Sequence, residues 1–152
     1  MPGLLAVVAE FLDDQGWEHE PAPDRDVLAF LFRGDHGQWT CYCEAMEEHQ
    51  RVAFYSVAPF NVPEQTRPAV MEFITRANFG LVIGNFELNL ANGEVRFKTS
   101  LDLKGSQLTP ALAQRAIIPN LHAMNTYLPG LEALVGDPAA PPAELIADIE
   151  GA

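Results

Sequence analysis

Asn85-Phe86-Glu87-Leu88-Asn89-Leu90-Ala91-Asn92-Gly93-Glu94-Val95-Arg96-Phe97-Lys98-Thr99-Ser100-Leu101 is the stretch from which the fold can be read. Phe86, Leu88 and Leu90 alternate with Asn85, Glu87 and Asn89. After Asn92-Gly93, Val95, Phe97, Thr99 and Leu101 alternate with Arg96, Lys98 and Ser100. A period of two marks a strand with one face on a core and one outside. Asn-Gly suits the two positive-φ positions of a type I′ turn, so the segment predicts a β-hairpin. That turn would set Leu88 opposite Phe97 and Glu87 opposite Lys98, an apolar face backed by an opposite-charge pair.

Upstream of the hairpin, Val70, Phe73, Ile74 and Ala77 recur at helical spacing. A start at Thr66 leaves Pro68 in the first turn, where its missing N–H costs nothing. Asn61 with Glu64 also resembles a capping box, but a helix begun there would hold Pro68 in its interior. Gly80 or Gly84 closes the segment. Three strands precede this helix. Val27–Arg33 is almost wholly apolar, which suits a strand covered on both faces. After the turn at Asp35-His36-Gly37, Gln38–Glu44 sends Trp39, Cys41 and Cys43 to one face and Thr40 and Tyr42 to the other. Arg51–Val57 is the third strand, and the short links predict an antiparallel meander. The first element, Pro2–Gln15, carries Leu4, Val8 and Phe11 on a helical stripe, with Pro2 suited to its start and Gly16 to its stop. Glu18–Arg25, with Pro21 and Pro23, reads as a polar connection.

Downstream, Thr109-Pro110 opens a helix whose stripe is Ile117, Leu121, Met124 and Leu128. Pro119 and Pro129 lie within it and predict a kink or two helices. The order is α-β-β-β-α-β-β-α. The predicted class is α+β: an antiparallel sheet of about five strands with helices packed on one face. Residues 1–136 form the domain. Residues 137–152 form an acidic, Pro-rich tail with at most one short helix at Ala143–Ile149, dispensable for folding.

The bulk numbers narrow the function. The 152 residues suffice for one core without covalent staples. Nine Lys and Arg face 21 Asp and Glu, a net charge of −12. The cations are scattered singly, so direct nucleic-acid binding and anionic membranes are both disfavoured. The opening apolar run lacks a basic region before it and is followed by acids, so it reads as a helix, and the expected compartment is the cytoplasm.

Residue chemistry gives no catalytic, cofactor-binding or metal site. Cys41 and Cys43, two apart on a strand, share a face and supply at most half a zinc site; they read as buried apolar residues beside Trp39. His19, His36, His49 and His122 show no metal-ligand spacing. A Cys41–His122 nucleophile pair has no motif behind it, and neither G-x-S-x-G nor a phosphate-binding glycine loop is present. The carboxylate pairs Asp13-Asp14, Asp24 with Asp26, and Glu44 with Glu47-Glu48 read as solvated surface. The expectation is a non-enzymatic protein that binds itself and another protein. The alternative is a small-molecule or metal-binding regulatory domain.

One resemblance sharpens this. Ala77-Asn78-Phe79-Gly80-Leu81-Val82-Ile83-Gly84-Asn85-Phe86-Glu87-Leu88, then Asn92-Gly93-Glu94-Val95-Arg96-Phe97-Lys98, resembles the centre of the YbjN-type bacterial family. Leu108-Thr109 and Tyr127-Leu128-Pro129 are similar too, so the resemblance spans roughly residues 2 to 135. It implies a fold similar to class I type III secretion chaperones, which are small acidic dimers that hold extended segments of a partner. It implies no catalytic residues, and nothing in the sequence marks a secreted client.

Overall fold

The computed structural model describes residues 3–151. Among them are α1 (Leu4–Gln15), β1 (Glu20–Pro21), β2 (Val27–Gly34), β3 (Gly37–Met46), β4 (Arg51–Asn61), α2 (Arg67–Gly80), β5 (Asn85–Leu88), β6 (Glu94–Asp102), α3 (Pro110–Gly136) and α4 (Pro142–Glu150). The α+β class is borne out, with one antiparallel sheet. It has six strands rather than about five, in the order β1-β2-β3-β4-β6-β5. The added strand is Glu20–Pro21, inside the segment expected to be a connection; it pairs with Ala29 and Leu28. Two residues with a proline carry no strand signal, and the pairing is imposed by the neighbouring edge of β2.

The helices lie on one face. Leu28 and Phe30 of β2, Trp39, Cys41 and Cys43 of β3, Val52 and Phe54 of β4, Val95 and Phe97 of β6, and Phe86 of β5 join the helices in a single core. The wholly apolar look of Val27–Arg33 misleads at this point: Leu31 is 58% exposed, so β2 is not covered on both faces.

Helix boundaries follow capping chemistry. In α1, the Leu4 N–H donates to Glu47 Oε1 at 2.6 Å, and Gly16 ends the helix in the left-handed region. The role expected of Pro2 lies outside the described residues. Helix α2 begins after Thr66 with Pro68 in the first turn, as expected, and ends at Gly80. The Asn61 side chain caps nothing and donates to Asn92 O at 3.1 Å. Thr109 Oγ1 accepts from the Leu112 N–H at the start of α3. That helix is continuous from Pro110 to Gly136 and contains both prolines, so the division into two helices does not occur. Pro119 is half-buried and Pro129 exposed, and the Asn125 carbonyl that Pro129 cannot bond accepts from His36 Nδ1 at 2.9 Å instead.

The hairpin forms, but in another register. Phe86 faces Phe97, Leu88 faces Val95 and Glu87 faces Arg96. The connection is not a two-residue type I′ turn. Only Gly93 has positive φ, at 82°, and its N–H closes a longer loop onto Asn89 O at 2.7 Å. Tertiary bonds select this loop. The Val62 N–H donates to Gly93 O at 2.8 Å, and Arg67 Nη1 donates to Leu90 O at 2.9 Å. A Cβ on Gly93 would stand 2.2 Å from Val62 O, so the backbone itself requires glycine there.

The tail forms α4, one residue longer at each end than the expected segment. It packs on α2 and α3 with Ile146 buried and Leu145 and Ile149 partly so. Tyr127 OH donates to Glu150 Oε2 at 2.8 Å. Burial, and then this bond and the charge of Glu150, push the Tyr127 phenol up to about 12.

Candidate functional site

The polar groups of the interior form a pin between helix and sheet. Asn120 of α3 is buried among apolar neighbours. Its Nδ2 donates to Phe54 O at 2.9 Å, Phe97 O at 3.1 Å and Thr99 Oγ1 at 3.2 Å. Its Oδ1 accepts from Ser56 Oγ at 2.6 Å, and Thr99 Oγ1 donates to Ala116 O at 2.8 Å. Every polar atom of the Asn120 amide is thereby used, and the network is buried with no group left to meet a substrate.

Cys41 and Cys43 lie in the core at 3% and 1% exposure. Burial pushes the Cys41 thiol up to about 12, against a weaker lowering by the Ser56 hydroxyl and Trp39 beside it. Burial, and then Cys41 beside it, push Cys43 up as well. A thiol so held is not a thiolate at neutral pH and is a poor nucleophile and metal ligand. Cys41 contacts Ser56 Oγ at 3.6 Å, while His122 is exposed on α3, so the two are not brought together as a pair. His19 pairs with Asp13 at 2.8 Å, and His36 is tied to Asn125 by its N–H and its Nδ1, each at 2.9 Å. His49 is exposed. Among the described residues no group of three or more His, Cys, Asp or Glu is placed to hold a metal ion.

What remains is surface. Because the helices share one face of the sheet, the other face is bare. Its rows run Leu31–Thr40–Val57–Arg96–Glu87 and Ala29–Tyr42–Tyr55–Lys98–Asn85. Tyr42, Tyr55 and Val57 are only half-buried. With Val27 they floor a shallow depression of about 250 Å³ rimmed by Arg25, Glu44, Glu94 and Arg96. The Arg96 guanidinium lies over the Tyr55 ring at 4.3 Å. Glu87 Oε1 accepts from Arg96 Nε at 2.8 Å and Glu87 Oε2 from Lys98 Nζ at 2.9 Å. Partial burial opposes the charge of Glu87, but the bonds and charges of Lys98 and Arg96 outweigh it and hold the carboxyl below its ordinary value. The expected Glu87–Lys98 pair is therefore present, diagonally, beside the directly opposed Arg96.

Two features escaped the sequence reading. Phe79 and Val82 are 95% and 97% exposed where α2 leads into β5, with Ile83 half exposed beside them. The run Phe79-Gly80-Leu81-Val82-Ile83 reads as core-forming, and nothing in its composition reveals that Leu81 alone turns inward. The second is Asn78. Its Oδ1 accepts from the Phe86 N–H at 2.7 Å and its Nδ2 donates to Phe86 O at 3.1 Å. One side chain thus occupies the outward peptide groups of an edge strand, a local defence against unwanted pairing. Pro21 in the two-residue β1 blunts the opposite edge.

Comparison with solved structures matches this fold. The "Crystal structure of YbjN, a putative transcription regulator from E. coli" aligns with a TM-score of 0.65 at 12% identity, covering 87% of this chain and 92% of that one. The "Crystal structure of an uncharacterized protein from Methanothermobacter thermautotrophicus" aligns at 0.54 and 11%, covering 84% and 96%. At such identities the likeness is one of fold alone. No curated protein matches the chain. The model of the YbjN family, described as "Putative bacterial sensory transduction regulator", matches residues 4–133. That match spans every element from α1 to all but the last residues of α3, and the chain belongs to the YbjN family.

Proposed function

We propose that this chain is a non-catalytic regulator of the bacterial cytoplasm that works as a homodimer and binds another protein, in the manner of an adaptor or chaperone. The observation that carries the reading is the bare sheet face. An uncovered surface that carries Leu31, Tyr42, Tyr55 and Val57 on β2–β4, with the paired charges of Arg96, Lys98 and Glu87 beside them on β6 and β5, has the make-up of a protein interface. Its rim favours a second copy in particular. A twofold interface presents the same patch to itself, and a rim that holds two arginines, Arg25 and Arg96, and two glutamates, Glu44 and Glu94, offers both signs of charge to a second copy. Sheets also stack face to face readily.

The reading extends to the rest of the chain. The unreactive thiols and the consumed polar network leave the interior a structural role. Free cysteines suit a reducing compartment. Residues 1–136 act as the folding unit and the tail, 137–152, tunes partner choice. Affinity capture from native bacterial lysate, read by mass spectrometry, tests partner binding. The same protein should be enriched by the wild-type chain in replicate captures and lost from a chain ending at Gly136. A capture identical to the empty matrix would count against an adaptor.

A further inference from the structure

Strand β6 continues along β4 to Asp102, but β5 reaches back only to Asn85, opposite Lys98. Gly84, at φ 79°, turns the chain off the edge there. A Cβ on it would stand 2.6 Å from Phe97 Cε1 and 2.7 Å from Lys98 O, so only glycine fits. Between Ile83, the end of β6 and the start of α3 a cavity of about 380 Å³ is left. That size falls among small-molecule sites, roughly 300–1,000 Å³. Its apolar walls are Ile83, Leu101, Leu112 and Ala116. Ala116 is buried, Leu101 and Leu112 are half-buried and Ile83 is 52% exposed, so the walls run from the core out to solvent.

Most polar side chains that line the cavity are already engaged. Lys98 Nζ donates to Glu87 Oε2 at 2.9 Å. Thr99 Oγ1 donates to Ala116 O and accepts from Asn120 Nδ2. Asn85 Nδ2 donates to Phe86 O at 3.3 Å. Arg115 differs: it is exposed and has no salt-bridge partner among the described residues. It lies on α3 beside Leu112 and Ala116, on the apolar side of the cavity. One backbone donor joins it. Phe86 directs its own peptide groups outward to Asn78, so β5 and β6 exchange their ladder bonds at Asn85–Lys98 and Glu87–Arg96. Ser100 is next in the series Arg96, Lys98, Ser100, and its N–H points to the side that β5 has vacated. No carboxylate lines the cavity, although acids outnumber bases 21 to nine in the chain.

We infer that this cavity binds a small aliphatic carboxylate, a short straight acyl chain with its anion at the mouth. The chain lies along Ile83, Leu101 and Leu112, and the carboxylate accepts from the Arg115 guanidinium and the Ser100 N–H. An unpaired guanidinium beside an apolar wall matches both halves of such a molecule. The overall negative charge does not oppose it, because salt screens charges farther away than about 8 Å and none of the acids lines the cavity. The inference goes beyond the reading of the chain as a protein-binding dimer and does not depend on it.

The test is an amide NMR titration of the full chain with hexanoate, heptanoate and octanoate. Shifts should centre on Ile83, Ser100, Leu101 and Leu112 and should saturate. Each added methylene should tighten binding about fourfold, the effect of burying one CH2 group. Octylammonium, the same chain with the opposite charge, should not saturate these residues. Arg115→Gln, at an exposed side chain, should leave the fold intact and weaken octanoate binding by about tenfold, the scale of one lost charge-assisted bond. Absence of saturation by octanoate up to about 5 mM would overturn the inference. So would shifts centred on Tyr42 and Tyr55, equal binding of octylammonium, or wild-type affinity in Arg115→Gln. Light scattering on the same samples separates this site from the dimer. A monomer that binds octanoate would remove the dimer and keep the site, and a dimer that does not bind it would remove the site alone.

Discussion

Asn120 shows what a single residue contributes and how far its role can be read in advance. It falls between Ile117, Leu121 and Met124 on the apolar stripe of α3, and a polar amide among them is a visible irregularity. Its partners are not visible, because Phe54 is 66 positions away and meets it only once the sheet has formed. Asn120→Ala strands Ser56 Oγ without its acceptor and leaves a void. The expected loss is about 2–4 kcal/mol, from the unsatisfied group plus the truncation. It should appear in urea unfolding as a lower midpoint with an unchanged slope. A midpoint equal to wild type would contradict the pin. The cysteines were the opposite case: strand alternation alone places both on the face of Trp39, and core packing then follows.

At the scale of elements, local signals succeeded where they were self-sufficient. Pro68 sits in the first turn of α2 by backbone chemistry that needs no distant partner, and the helix runs to Gly80 as its spacing of apolar residues implies. The hairpin register failed because Val62 and Arg67, from another part of the chain, hold the loop at Gly93 and Leu90. The charge pair across that hairpin predicts a pH effect. The carboxyl of Glu87 is held below its ordinary value of 4.5 in the fold. Its contribution is therefore complete above that value and lost as the pH falls through the lowered one. Glu87→Gln should lie below wild type in stability at pH 7 and converge with it on acidification in parallel denaturation series. A constant gap down to acid unfolding would exclude the linkage. The tail is a second element-scale case. Its composition reads as dispensable, and a chain cut after Gly136 should still fold. Yet Ile146 is buried at 7% exposure, and side chains so placed contribute about 1.5–3 kcal/mol each. The cut should lower Tm by roughly 4–10 °C while leaving circular dichroism otherwise native. An unchanged Tm would mean that α4 adds nothing to the core, and an unfolded chain would put the boundary in the wrong place.

For the molecule as a whole, segregated hairpins and helices were enough to foresee an α+β sheet with helices on one side. The order of strands was not, since β6 inserts between β4 and β5 and sequence neighbours do not report that. The bare face follows from the helices' common side, and Tyr42 was legible as pointing away from the cysteines. Its meeting with Tyr55, Val57 and Arg96 depended on the strand order. The central claim is that this face joins two copies. Light scattering on the purified chain at about 20 µM, a concentration at which an interface of ordinary strength is occupied, tests it directly. The account predicts twice the monomer mass of 16.7 kDa for wild type, and the monomer mass for Leu31→Asp, which puts a charge on the face at a residue already exposed. A wild-type chain at the monomer mass, or a Leu31→Asp chain that stays a dimer, would contradict it.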